Sequence, residues 1–168
     1  CYLYSTVSKL DCLRSPHLYR EHAVRKNVVT SATKKWFSQN AIYTSCHDLI
    51  SKILQFDCDG DKSLVCADSL LVAIAERNME GVVPLYYEMA KAGAVTITPE
   101  EIFKGLRAAW TGGNIGVISN DITKIWNGAD VDIEAIKILC MENNFCIDYA
   151  KTLYKPTRPD EINARLAR

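Results

Sequence analysis

Ile53-Leu-Gln-Phe-Asp57-Cys-Asp-Gly-Asp61-Lys-Ser-Leu-Val-Cys66-Ala-Asp-Ser69-Leu-Leu-Val-Ala-Ile-Ala75 holds both a change of structural period and the most chemically informative residues of the chain. Phe56-Asp57-Cys58 followed by Lys62-Ser-Leu-Val-Cys66 reads as strand, turn, strand, with Gly60 allowing the tight path between them. From Ser69 the apolar period becomes helical: Leu70, Leu71, Ile74 and Ala75 mark one face, entered through Asp68 or Ser69 as N-cap. The expected fold class is therefore α+β. A β-rich segment over 1–68 is followed by a helical segment over 69–168 packed on it as one structural unit.

Upstream, Tyr2-Leu-Tyr-Ser-Thr-Val7 mixes alternating apolar and β-branched residues, and short apolar pieces recur at Val28-Val29 and Ala41-Ile-Tyr-Thr44. Thr33 to Phe37 fits one helical turn, with Trp36 and Phe37 read as core packing. Downstream, Val83 to Ala90 predicts a helix that Gly93 closes. Thr98-Pro99-Glu100-Glu101 is the clearest start signal: N-cap, proline at the first helical position, and an acid where a capping box needs it. Ile102, Leu106 and Ala109 carry that helix to Trp110, and Gly112-Gly113 break it. Ile115, Ile118, Ile122 and Ile125 predict a helix over 115–126. A longer one is expected from Ile133 to Thr152, entered through Asp130 or Asp132, with Ile136, Cys140 and Ile147 inward; Pro156 and Pro159 forbid its continuation.

The 168 residues suit one domain, and 48% hydrophobic with 24% charged residues suits a packed core. Twenty Lys and Arg balance twenty Asp and Glu, so no global basic field marks a nucleic-acid binder and any such site is local. Arg20, Arg25, Lys26, Lys34 and Lys35, with Tyr19 and Trp36 among them, form a modest basic stretch that suits either a nucleic-acid backbone or a solvated face. Seven scattered cysteines, an odd number, argue against a secreted disulfide framework and for reduced thiols in a cytoplasmic setting. No apolar run approaches the ~18 residues of a membrane-crossing helix. A chain opening at Cys1 and ending in Arg165 and Arg168 reads as a segment of a longer polypeptide.

Asp57, Asp59 and Asp61 are three mutually repelling carboxylates, with only Lys52 and Lys62 nearby in sequence. Oxygen donors at this spacing suit a hard cation, Mg²⁺ or Ca²⁺. One reading is a Ca²⁺ loop of the EF-hand kind, in which the three acids fill positions one, three and five, and Asp68 the twelfth; Lys62 then stands where that loop takes glycine. Another is a catalytic Mg²⁺ site for nucleotidyl transfer. The bland reading is an acidic surface turn, or a helical interaction module in which the turn is incidental. The apolar flanks Ile53, Leu54, Phe56, Leu64 and Val65 favour an anchored loop. Cys46, His47, Cys58 and Cys66 lack the pairwise spacing of a zinc site.

Asp57-Cys-Asp-Gly-Asp61 resembles the Asp-x-Asp-Gly-Asp signature of the two-barrel (double-psi β-barrel) RNA polymerases, which include the multisubunit enzymes, the RNA-dependent polymerases of RNA silencing and single-chain phage polymerases. Arg14-Ser-Pro16-His-Leu18 is similar to the Arg-x-Pro-x-Leu element of the same barrel. His47 matches a histidine common before the acidic loop, and Cys146-Ile-Asp148-Tyr-Ala-Lys151-Thr152 resembles a Val-Asp-Phe-x-Lys-Thr segment of the silencing polymerases. The three motifs span roughly residues 13–152, most like the single-chain phage kind.

The resemblance implies that the N-terminal segment forms part of a double-psi β-barrel. It further implies that Asp57, Asp59 and Asp61 bind the catalytic Mg²⁺, that Arg14 contacts the incoming nucleotide, and that Pro16 shapes that contact. Gln55 stands where the multisubunit enzymes place an asparagine that reads the ribose 2′-hydroxyl; it keeps the donor and acceptor and reaches one methylene further. The implied partners are nucleoside triphosphates, a DNA or RNA template, the RNA product and a further polymerase segment carrying the second barrel, in a bacterial host cytoplasm. By itself this catalytic portion is expected to be inactive.

Overall fold

Strand β1 (Lys9–Arg14) is the middle of a three-stranded antiparallel sheet, flanked by β2 (Ala23–Lys26) and β3 (Ser63–Cys66), in a computed structural model that describes residues 1–15, 17–57, 60–84 and 92–166. Cys12 lies opposite Ala23 on one side and Val65 on the other, and Asp11 opposite Val24 and Cys66. Because side chains alternate along a strand, Cys12, Ala23 and Val65 share one face, and Asp11, Val24 and Cys66 share the other.

Between β2 and β3 come two short helices, α1 (Ser31–Trp36) and α2 (Ile50–Leu54). α2 covers the Cys12 face: Ile50 and Leu54 are buried with Cys12 and Ala23, and Ile42, Ile53, Phe56 and Val65 pack around them. Each such buried aliphatic side chain stabilises by about 1.5–3 kcal/mol. Asp48 fixes the start of α2 by accepting the Ile50 N–H at 2.7 Å while gripping Arg25 with both carboxylate oxygens. Helix α3 (Ser69–Met79) packs on β1 and β2, burying Val72 and Ala75, and Glu76 reaches Lys9 at 2.8 Å.

These elements form one unit, Cys1–Leu85; the other is Tyr86–Arg168. The second unit is helical: α4 (Pro99–Thr111), α5 (Ile115–Trp126), α6 (Ile133–Ile147), α7 (Tyr149–Thr152) and α8 (Asp160–Leu166). α5 packs against α6, with Ile118 and Ile122 on one helix and Ala135, Ile136 and Leu139 on the other all buried. Inside this unit Glu142 and Asn143 are buried as well, and Arg158 donates from Nε to Glu142 Oε2 at 2.6 Å. Arg158 also lies 3.6 Å from Asp121, and Lys155 lies 3.9 Å from Glu142. Burying a carboxylate demands such partners, and they tie the proline-containing segment back onto α5 and α6. No helix among the described residues is long and apolar enough to cross a membrane.

The mixed class and the helical C-terminal half stand as expected, and several local expectations are corrected. Tyr2–Val7 is not a strand; Asn27 pins it instead, accepting the Tyr2 N–H at 2.8 Å and donating to the Tyr2 and Ser5 carbonyls. Neither Val28-Val29 nor 41–44 pairs in the sheet, and Phe56-Asp57 follows α2 without being a strand. Trp36 is 76% exposed rather than packed in the core. On α3 the buried residues are Val72 and Ala75, while Leu70 and Leu71 face solvent. On α4 Ile102, Leu106 and Trp110 are exposed. The long helix ends at Ile147 and restarts as α7, and its inward residues are Leu139 and Cys146 rather than Cys140 and Ile147. α8, begun after Pro159 and buried through Ile162, was not anticipated. The helix expected over 83–90 falls mostly on 85–91, outside the described residues.

Candidate active site

The loop from α2 to β3 is positioned at both ends. Gln55 closes α2 in the left-handed region, at φ 54°, with its backbone N–H on the Ser51 carbonyl. Such a conformation is uncommon for a residue with a Cβ and turns the chain sharply out of the helix. At the other end, Ser63 opens β3 directly opposite Arg14, and its hydroxyl donates to the Leu13 carbonyl at 2.9 Å. Gly60 has φ 119°, a backbone conformation that side chains rarely adopt.

This register brings Arg14 to the acidic loop. Arg14 Nε lies 3.1 Å from Asp61 Oδ2, with about a fifth of each side chain exposed (20% and 23%). The Asp57 backbone N–H donates to the same Asp61 oxygen at 3.0 Å. That hydrogen bond first, and then the charge of Arg14, hold the Asp61 carboxyl below its ordinary value. The expected neutralisers were Lys52 and Lys62; the cation found there comes from the neighbouring strand. Arg14 pairs with Asp61 and not with Asp11 or Glu21.

Asp57 and Gln55 are exposed on this loop. Pro16, Cys58 and Asp59 lie outside the described residues, so the structure brings together Arg14, Asp57 and Asp61 of the six expected site residues, with Gln55 just before them on the same turn. Among the described residues no three His, Cys, Asp or Glu side chains form a group able to hold a metal ion. The residues of the calcium-loop alternative are differently engaged: Asp68 caps α3 by accepting the Leu71 N–H at 2.9 Å, and 63–66 is paired with β1.

Sequence reasoning missed four contacts in the same unit. Asp11 is 1% exposed and bonds His22 Nδ1 through Oδ2 at 2.6 Å. The edge-on His17 and His22 rings, 5.0 Å apart, stand beside it, with Glu21 at 3.6 Å from His17. The fourth is the Arg25–Asp48 pair. Asp11–His22 and Arg25–Asp48 join residues 11 and 23 apart in the chain, which no local motif marks. His47 is exposed, its backbone N–H on Ser45 Oγ. A cleft of ≈ 520 Å³ in the same unit is lined by His22, Arg25 and Met79 among others and does not include Arg14 or the acidic loop.

In the second unit, Asp148 sits at the α6–α7 junction and holds Lys151 at 3.1 Å. The Thr152 hydroxyl donates to the Asp148 carbonyl. The segment thus forms a small, self-bonded turn on the surface.

No family model matches this chain, and no solved structure does. The chain spans about a fifth (20%) of the length of a curated relative with which it is 53% identical over 166 residues, 99% of its own length: the DNA-directed RNA polymerase YonO of Bacillus phage SPbeta.

Proposed function

We propose that this chain is the metal-bearing catalytic portion of a template-directed RNA polymerase of the two-barrel kind, transferring nucleotides from nucleoside triphosphates to an RNA 3′-hydroxyl. The observation that carries the reading is the 53% identity, along nearly the whole chain, to a protein named as a DNA-directed RNA polymerase. The Arg14–Asp61 pair supports it, because a nucleotide-binding cation and the acidic loop must lie together for a triphosphate to meet a metal. The relative's name favours a DNA template, and its phage origin favours action in a bacterial host cytoplasm. The three-stranded sheet is read as part of a double-psi β-barrel, completed and partnered by polypeptide corresponding to the rest of the relative.

The donor chemistry fits Mg²⁺. Asp57 and Asp61 offer hard carboxylate oxygens; among the described residues no hydrogen bond or ion pair takes the Asp57 carboxylate, while Asp61 Oδ2 accepts from the Asp57 N–H and faces Arg14. Asp57 and Asp61, with Asp59 between them, would hold the ion. Bound there, it would lower the pKa of the attacking 3′-hydroxyl. Arg14, anchored at the end of β1, binds the ribose or phosphate of the incoming nucleotide, and Gln55 offers an amide to the 2′-hydroxyl. Pro16 shapes the approach of the Arg14 segment.

The test is Mg²⁺-dependent incorporation of nucleoside triphosphates by the full polypeptide that carries this chain, on DNA and on RNA templates. Asp59→Ala is expected to abolish synthesis with an unchanged denaturation curve, and Arg14→Ala to raise KM for the nucleotide. Parental rates in Asp59→Ala, or no RNA on any template from the intact protein, overturn the assignment.

A further inference from the structure

Between Glu21 and Asp48 the chain carries no acidic residue, while Arg25, Lys26, Lys34 and Lys35 are all basic. In a chain of zero formal net charge this is a strong local segregation. Asp48 takes Arg25 with two oxygens. Lys26, Lys34 and Lys35 are exposed and have no carboxylate partner among the described residues.

Two of these lysines sit in the last turn of α1, next to Trp36. Trp36 is 76% exposed, so its indole is accessible from solvent. Lys35 Nζ lies over its ring, 5.5 Å from the centroid, so a cation already sits beside the exposed indole. The turn that presents them is held firmly. Thr30 and Thr33 form a reciprocal capping box at its start. At its end Phe37 stacks on Tyr43 with centroids 4.0 Å apart and planes 12° from parallel. Tyr43 in turn donates its N–H to the Cys1 carbonyl and accepts from the Cys1 amino group. A braced helix end with a solvent-exposed aromatic ring and ammonium groups that lack a carboxylate partner among the described residues offers a stacking platform beside a phosphate track.

We infer that α1 is a single-stranded nucleic-acid contact, in which Trp36 stacks on a base and Lys34 and Lys35, with Lys26 nearby in the chain, meet the sugar–phosphate backbone. A polyanion matches the three cations that lack a carboxylate partner among the described residues, and a polyanion that also presents flat rings is a nucleic acid rather than an acidic protein surface. RNA and DNA single strands share this chemistry. The inference stands on charge and stacking and uses no residue of the acidic loop.

Fluorescence anisotropy of labelled oligo-U and oligo-dT, titrated with the whole chain at low salt, tests it. Trp36→Ala is expected to weaken binding about 5- to 150-fold, the effect of losing one stacked base, while Trp36→Phe stays near wild type. Replacing Lys34 and Lys35 together by Gln is expected to reduce the salt slope by about 1.4, from about 0.7 per phosphate contact on a single strand. A preference between the two oligomers names the strand that binds. Far-UV circular dichroism checks folding, which the exposure of Trp36 protects. Wild-type binding in Trp36→Ala, or no binding of either oligomer by the wild-type chain, overturns the inference. Asp59→Ala is expected to bind like wild type, so loss of RNA synthesis in that variant and loss of strand binding in Trp36→Ala separate the two proposals.

Discussion

Replacing Arg158 by Met removes the guanidinium that holds Glu142 inside the helical unit. The contact is short, 2.6 Å from Nε to Oε2, and only 19% of the Arg158 side chain and 11% of Glu142 are exposed. Breaking such a pair by deleting one member leaves the other charge desolvated, which costs about 3–5 kcal/mol when burial is complete. Lys155, 3.9 Å from the other Glu142 oxygen, relieves part of that cost, and Asp121 loses a partner at the same time. The expected loss is therefore about 3 kcal/mol, or about 6–12 °C in Tm for a chain of this size. Glu142→Leu should cost a similar amount alone. The double variant should recover about 2 kcal/mol of the summed losses, because neither charge is then left unpaired. Urea denaturation followed by circular dichroism measures all four corners of this cycle. A coupling below about 0.5 kcal/mol, or an Arg158→Met variant as stable as wild type, refutes the claim that this pair fixes the proline-containing segment to α6.

Gly113→Ala should destabilise by about 1–3 kcal/mol, since its φ of 136° excludes a Cβ and that atom would meet Lys155 Nζ at 2.7 Å and Cys146 Sγ at 2.9 Å; a thermal melt equal to wild type contradicts this. Asp48 is held below its ordinary carboxyl value, chiefly by hydrogen bonds from Arg25. The stability this gives is full above the unfolded value of about 3.9 and disappears as pH falls through the lower folded value. Urea midpoints between about pH 6 and 2.5 should therefore drop more steeply for wild type than for Asp48→Asn, and parallel acid limbs would rule the pair out as a source. Burial pushes the Cys12 thiol up to about 11, whereas Cys46 is exposed. At pH 8 iodoacetamide should label Cys46 and spare Cys12 in the folded chain, a pattern that peptide mass spectrometry reads directly.

Helix starts were legible because their signals are local. Thr98 caps α4, Asp132 caps α6 and Asp68 caps α3 through side-chain oxygens three residues from the N–H they accept, a pattern written in adjacent letters. Helix faces were less legible. On α6, Leu139 and Cys140 are both apolar, as are Cys146 and Ile147, and periodicity cannot choose between neighbours; tertiary packing, in which α6 meets α5, buries Leu139 and Cys146. Strand β1 was hidden for the opposite reason. Lys9-Leu-Asp-Cys alternates for only four residues before Leu13 breaks the pattern, and Asp11 is buried because both faces of the strand are covered, whereas the unpaired Tyr2–Val7 is richer in aromatic and β-branched residues. Trp36 shows the limit of reading burial from size, since a large apolar side chain looks the same in sequence whether it fills a core or awaits a partner. At the candidate site the acids and Arg14 were legible as residue types. Their meeting was not, because β-sheet register sets it and no short motif encodes a pairing across so much chain.

That register carries a further consequence for how the chain tolerates change. Asp11 and Cys12 point to opposite faces of the same strand, one toward His22 and the other into the α2 core. Slipping β1 by one residue would drive a carboxylate into the apolar layer and pull a core thiol out of it, so pairing is all-or-none at this point. Arg14 inherits that precision: its place beside Asp61 is set by the packing of Cys12 rather than by a flexible loop. Length changes between Arg14 and β2 leave this reference frame intact. A single insertion between Cys12 and Arg14 turns the guanidinium to the opposite side of the sheet, and the acidic loop is left without the cation that faces it.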